Sequence, residues 1–157
     1  MRVSYGFFVF VICTAVQFAK GYPEYMKLIP NGERVMDPCL SPVVKQWKRV
    51  GHEIKFKKDD TTDPKGTLND FGVNFREIQE KAGMKPENIW AELCHIDSDK
   101  DKRTNGEELG DPKCMWTVGE PNPGDVRELT HPGIKELPDG KLSPTITGKY
   151  CSHVKNI

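Results

Sequence analysis

No charge of either sign dominates this chain: 23 basic and 23 acidic side chains cancel over 157 residues. A general nucleic-acid binder, which shows a basic patch or stripe, is therefore not expected. The chain also lacks the Gly-x-Ser-x-Gly elbow of hydrolases, a Gly-rich phosphate loop and the HxH or HExxH spacings of zinc enzymes. With none of these, the expectation is a protein that is not an enzyme. There is no Cys-x-x-Cys pair, so a zinc site is the weaker rival to disulfides. No Asn-x-Ser/Thr sequon is present, and N-glycosylation is not expected. There is no internal repeat and no long acidic or low-complexity tract. Long apolar runs are missing too. Phe7 to Val16 (FFVFVICTAV) is ten residues and is interrupted by Thr14, whereas a membrane helix needs roughly 20.

That short run is informative in its place. Arg2 precedes it, and Ala19-Lys20-Gly21 supplies small residues at the −3 and −1 positions of a cleavage site. Residues 1–21 are expected to form a signal peptide rather than an uncleaved anchor. Residues 22–157 are then one secreted, extracellular domain with no membrane attachment. Arg2 and Lys20 leave with the signal, so the mature part carries 21 basic and 23 acidic side chains, net −2. Cys13 leaves as well. Cys39, Cys94, Cys114 and Cys151 remain, an even number in an oxidising compartment, which reads as two disulfides with three connectivities open. The preferred pairing is nested: Cys94 with Cys114, and Cys39 with Cys151.

The expected fold is a small disulfide-bonded, loop-rich α+β extracellular domain, with short helices around a calcium-type loop. Tyr22 to Pro42 reads as loops and turns, with a turn at Pro30-Asn31-Gly32. Val43 to His52 suits a short helix or strand burying Val44, Trp47 and Val50. Glu53 to Leu68 is charged and reads as an exposed, mobile loop. Phe71, Phe75, Ile78 and Ala82 fall on one helical face, with Asn69 or Asp70 as cap and Gly83 as terminator. A second short helix starts at Pro86 and buries Ile89, Trp90 and Leu93. Trp47, Trp90 and Trp116 are expected in or near the core. From Glu120 the chain reads as loop, with a tight hairpin turn at Asp139-Gly140.

Asp97-Ser98-Asp99-Lys100-Asp101-Lys102-Arg103-Thr104-Asn105-Gly106-Glu107-Glu108 carries the strongest chemical signal. It places oxygen side chains at positions 1, 3, 5, 9 and 12 of a twelve-residue loop, the spacing with which a chain wraps calcium. Asp97, Asp99 and Asp101 would point inward, Arg103 would offer its carbonyl, Asn105 would bind directly or through water, and Glu108 with both oxygens. Lys102 stands at position 6, where glycine is usual because the backbone turns through positive φ. A lysine there costs about 1–2 kcal/mol. Together with Lys100 and Arg103 it weakens the negative field and points to weak affinity. The competing reading is a polar turn whose acids cap a helix and hydrogen-bond backbone amides. Cys94 and Cys114 flank the loop, and a bridge between them would clamp its ends. Glu107-Glu108-Leu109 would form a single exiting turn, and no second acidic loop exists to pair with this one. His52 and His131 sit in turn-like settings and form a second candidate metal site, for zinc or copper; hydrogen-bonded structural histidines are the competing reading.

Several stretches carry a family resemblance: Tyr22-Pro23-Glu24-Tyr25, Ile29-Pro30-Asn31-Gly32, Val50-Gly51-His52, Phe71-Gly72 with Phe75, and Leu93-Cys94. To these add Asp97 through Arg103-Thr104-Asn105-Gly106 to Glu108-Leu109-Gly110-Asp111-Pro112 and Cys114, then Trp116 and His131-Pro132-Gly133. In these the chain resembles the temptin family of secreted molluscan water-borne pheromone proteins, over about Tyr22 to Gly133. The family usually has glycine where Lys102 stands. Its segment between His52 and Phe71 is usually Gly-rich and shorter, and the tail 134–157 diverges. The resemblance implies a small disulfide-bonded extracellular protein with a metal site, acting in an attractant complex by binding other small secreted proteins, pheromone polypeptides among them. The alternative is a calcium-binding matrix protein of the extracellular space or of a shell.

Overall fold

In the computed structural model the described residues are 25–39, 46, 47, 49–53, 67–138 and 141–151. The signal peptide expected at 1–21 lies outside them, as do most of the charged segment at 54–66 and the turn at Asp139-Gly140.

The first full helix, α1, spans Asp70–Gln79. Its start follows from local chemistry: the Asn69 side chain accepts a hydrogen bond from the Gly72 amide, satisfying one orphan donor of the first turn. Phe71 and Ile78 are buried and Phe75 is half-buried, so the face predicted from spacing is the one that packs. Ala82 departs from that prediction. The helix stops at Gln79, and Ala82 is exposed in the turn that Gly83 closes at φ +78°. A 3₁₀ turn at Pro86–Asn88 leads into α2 (Ile89–Leu93), which buries Ile89, Trp90 and Leu93. The one-turn α3 (Asn105–Glu108) follows the acidic loop, and a 3₁₀ turn covers Val126–Glu128.

The C-terminal segment differs from its loop-like expectation. Pro144–Tyr150 forms a helix, α4, capped by the Ser143 hydroxyl, which accepts from the Ile146 amide. Serine before proline is a standard helix start, and Leu142, Ile146 and Tyr150 lie one helical face apart. The β component is smaller than expected. Among the described residues it amounts to three isolated antiparallel bridges, Met36 to Gln46, His52 to Leu68 and Glu136 to Leu142. The last of these brackets the predicted hairpin turn. Short segments with many turns leave no room for a paired ladder.

The apolar side chains gather into two cores, each containing one disulfide. The larger holds Met26, Ile29, Val35, Val50, Phe71, Ile78, Trp90, Leu93 and Leu109 around Cys94. The smaller holds Trp47, Ile134 and Tyr150 around Cys39 and Cys151. Trp116 is half-buried against the larger. Cys94 is bonded to Cys114 and Cys39 to Cys151, the nested pattern. The second bridge spans 112 residues and fastens α4 to the N-terminal segment.

Two glycines mark where backbone meets backbone. A Cβ on Gly72 would lie 1.9 Å from the Gly51 carbonyl oxygen, so α1 can approach the 50–52 turn only without a side chain there. A Cβ on Gly106 would lie 2.4 Å from Cys94 Sγ, so the start of α3 rests directly on the disulfide. Gly72→Ala should destabilise the domain by about 3 kcal/mol or more, because backbone rather than a flexible side chain must move. Gly148→Ala in α4, with nothing within 4 Å of its Cβ, should be neutral or stabilising by up to about 1 kcal/mol. Thermal unfolding of both variants under non-reducing conditions checks the pair.

Candidate functional site: a carboxylate loop closed from outside

The loop Asp97–Glu108 is held at both ends by the junction around Asp111. That buried carboxylate accepts from Trp90 Nε1 (2.8 Å), from the Met115 amide (3.0 Å) and from the Trp116 amide (3.0 Å). The Asp111 amide donates to the Gly106 carbonyl and its own carbonyl accepts from the Cys114 amide. With the Cys94–Cys114 disulfide beneath, the entering α2 and the exiting α3 are fixed relative to one another.

Between them the loop folds on its own acids. Asp97 accepts from the amides of Lys100 (2.8 Å) and Lys102 (3.0 Å) with its two oxygens. Asp99 Oδ1 accepts from the Asp101 amide (3.2 Å), and Asp101 Oδ1 from the Arg103 amide (2.8 Å). Each acid thus turns the chain for the next, and the three bring ligand oxygens within 4.8 Å of one another. Lys102 adopts φ +82°, the left-handed conformation expected at position 6, and Lys100 adopts φ +64°. The exit is closed by a capping box. Thr104 Oγ1 accepts from the Glu107 amide while Glu107 Oε2 accepts from the Thr104 amide.

Glu108 is fully buried. Its Oε1 accepts from the Thr130 hydroxyl (3.1 Å), and its Oε2 has no hydrogen-bond partner. Asp99, 7% exposed, has an unpartnered buried Oδ2. Asn105 is fully buried, with Nδ2 spent on the Leu93 carbonyl (2.8 Å) and on Ser98 Oγ (3.0 Å), while its Oδ1 has no partner. Buried oxygens without donors are costly, and three of them lie within one twelve-residue loop.

The electrostatics match this crowding. Burial, and then the charges of Asp99 and Asp101, push the Glu108 carboxyl up to about 9. Burial, and then Asp101, push Asp99 up to about 7, with Asp97 and Glu136 adding to it. Glu136 is itself raised to about 7, chiefly by burial, with Asp101 contributing and Arg103 opposing. Glu136 and Thr130 were not legible as site residues. Glu136 lies in the divergent tail, and nothing local in the sequence shows that its charge acts on Asp99. The capping box, by contrast, can be read from Thr104-x-x-Glu107.

The histidine pair stands apart from this cluster. His131 is completely buried. Its ring meets Trp47 edge-on at 4.5 Å, and its Nδ1 accepts from the Gly133 amide (3.1 Å). Burial lowers its pKa to about 3, so it stays neutral. His52 pairs with Leu68 at a bridge, and its carbonyl accepts from Asn69 Nδ2 (3.4 Å). The one group of three or more potential ligands among the described residues is Asp97, Asp99 and Asp101, and neither histidine belongs to it.

This donor set is made of hard oxygens, several without partners, and it fits a divalent cation of the calcium type. Asp97, Asp99, Asp101 and Glu108 would hold the ion, whose charge would offset the mutual repulsion of the carboxylates.

Comparison with known proteins agrees with the motifs. The family described as Temptin C-terminal matches residues 19–134. Temptin of Aplysia californica is 42% identical over 119 residues, covering 75% of this chain and 81% of that protein. No solved structure matches the chain at a significant level.

The raised carboxyls make the ion-free protein pH-sensitive. Their folded pKa values, about 7 to 9, exceed the ordinary values of 3.8 and 4.5. The stability they contribute is complete below the ordinary values and is lost progressively as pH rises above them, ending near 7 for Asp99 and Glu136 and near 9 for Glu108. His131 acts in the opposite sense, lowering stability as pH falls from 6.5 toward 3. The decline above about pH 6.5 is therefore due to the carboxylates. In chelator, the melting temperature should fall from pH 6.5 to pH 9, and Glu108→Gln should flatten that fall. Lys102→Gly should raise stability in chelator by about 0.5–1 kcal/mol, since it relieves the left-handed lysine at some cost in unfolded-chain entropy. Urea unfolding reads that difference directly.

Proposed function

The chain belongs to the Temptin C-terminal family, and from that membership we propose that it is a secreted attractant protein acting in a water-borne complex through contacts with other small secreted proteins. The observation that carries this reading is the 42% identity to temptin over 119 residues. Two disulfides support an extracellular setting. No helix among the described residues is long and apolar enough to cross a membrane. The loop Asp97–Glu108 takes calcium as a structural ion that sets the shape of the domain. The unpartnered Glu108 Oε2 and Asp99 Oδ2 support that assignment. Lys100, Lys102 and Arg103 hold the affinity to the range of extracellular modules, about 10⁻⁴ to 10⁻³ M.

The protein should be recovered soluble from released fluid, co-purifying with other small secreted polypeptides and adding to their attractant activity. Recovery only from an insoluble mineralised matrix would overturn the reading and favour the matrix role. For the ion, about 10 mM calcium should stabilise the domain by about 1.4–2.7 kcal/mol at such affinities. The melting temperature at pH 7.5 should rise accordingly, and Glu108→Gln should abolish the rise. No shift in the unaltered protein would sink the calcium assignment.

A further inference from the structure

The three unpartnered oxygens of the loop are each presented in the same way. One atom of the group is spent on hydrogen bonding, and the other is left without a donor. Asp99 spends Oδ1 on the Asp101 amide, and Asn105 spends Nδ2 on the Leu93 carbonyl and Ser98 Oγ. Both are fixed by the loop itself and the end of α2. Glu108 is fixed from outside. Its Oε1 accepts from the Thr130 hydroxyl (3.1 Å), and its carbonyl accepts from the Thr130 amide (3.1 Å). One residue, 22 positions further on, thus holds both the backbone and the side chain of the buried glutamate. Thr130 is itself firmly seated, half-buried between two buried neighbours. On one side Leu129 packs against Gly110, where an added Cβ would lie 3.2 Å from its Cδ2. On the other the His131 ring meets Trp47 edge-on. Further along, Lys135 Nζ donates to the Lys100 carbonyl (2.6 Å), a second point at which this segment rests on the loop.

We propose that Thr130 is a positioning residue of the cation site: its hydroxyl sets the plane of the Glu108 carboxylate and leaves Oε2 to the ion. This rests on the calcium reading of the loop and extends it to a residue outside the twelve. A glutamate at the last loop position binds calcium with both oxygens, which requires its carboxylate plane to be set. The terminal torsion of a glutamate is broad, so that burial alone does not set it. A hydrogen bond to Oε1 does. A carboxylate oxygen carries two lone pairs, so Oε1 keeps one for the ion while the other accepts from Thr130. The neutrality of the hydroxyl matters as well. An ammonium or guanidinium in its place would satisfy the carboxylate and repel a cation, whereas a hydroxyl orients it and leaves its charge uncancelled.

Terbium, a luminescent stand-in for calcium, tests this in the full mature chain. Its emission lifetimes in H₂O and D₂O count the waters left on the ion. The unaltered protein should bind terbium in competition with calcium. Thr130→Val, which keeps the side-chain shape but removes the donor, should bind about tenfold or more weakly. It should also show about one additional water on the ion, in the position that a turned-away Glu108 oxygen vacates. Thr130→Ser restores the hydroxyl and should match the unaltered protein in both readouts. Weaker binding of Thr130→Val with an unchanged water count would mean that Thr130 only supports the fold around the loop, and would overturn the proposal. Unchanged affinity would overturn it too, as would a Thr130→Ser variant as weak as Thr130→Val. Failure of the unaltered protein to bind terbium or calcium at all would instead sink the loop reading itself. If Thr130→Val does not fold, hydrogen exchange of the unaltered protein decides. Calcium should slow exchange of the Thr130 amide along with those of the loop, and protection confined to residues 97–108 would overturn the proposal.

Discussion

The buried carboxylate of Asp111 is the interaction on which the rest of this domain depends. One side chain takes three donors, from the Trp90 indole and from the Met115 and Trp116 amides. Its backbone binds Gly106 on one side and Cys114 on the other. A neutral residue of similar shape could not satisfy those three N–H groups, two of them orphan backbone donors in a region without a β ladder. Because Gly106 and Cys114 meet at the same point, the disulfide, the start of α3 and the end of α2 are fixed together. The Leu-Gly-Asp-Pro-x-Cys run is therefore one physical device. Gly110 adopts φ +79° against Gly124, Asp111 gathers donors, and Cys114 closes the covalent ring.

A frame this rigid permits the loop above it to be electrostatically unfavourable. Each of its three aspartates spends oxygen on the amides of the turn, and that suffices to shape the chain without any ion. What remains is a set of oxygens facing one another in a half-dry setting, with Glu108 beneath them. Such an arrangement stores repulsion that either protons or a cation can relieve. Protons and the proposed cation would compete for the same oxygens, so that pH sensitivity and ion binding would have one cause.

Much of this was legible in the sequence because the signals are local. Asn69 before an apolar helical face, Pro86 at a helix start, and the alternating aspartates all express interactions within a few residues. The structure puts Asn69 at the helix cap and Pro86 at the helix start, and the aspartates accept from the amides of their own turn. The pairing of four cysteines was favoured because Cys94 and Cys114 bracket one loop. What escaped the sequence is of two kinds. Helix α4 was hidden by surrounding turn residues, although Ser143-Pro144 and the spacing of Leu142, Ile146 and Tyr150 carry its signal. Glu136, Thr130 and the burial of His131 could not be read, because they depend on contacts across 20 or more residues. The expected α+β character shrank to bridges for the same reason. Alternation shows that a segment can be extended, and only tertiary packing decides whether a neighbour pairs along it.

The two-core arrangement bears on how a domain this small can present a defined surface. The larger core is built around α1, α2 and the Cys94–Cys114 ring, and the smaller is drawn together by the Cys39–Cys151 bridge. Polar contacts run between them: the Trp47 amide donates to the Val35 carbonyl, Asn69 packs against Gly133, and Thr130 and Lys135 lie on the acidic loop. Hydrogen bonds of this kind specify orientation well but contribute only about 1 kcal/mol each. The relative placement of the two cores therefore rests on few and individually weak interactions.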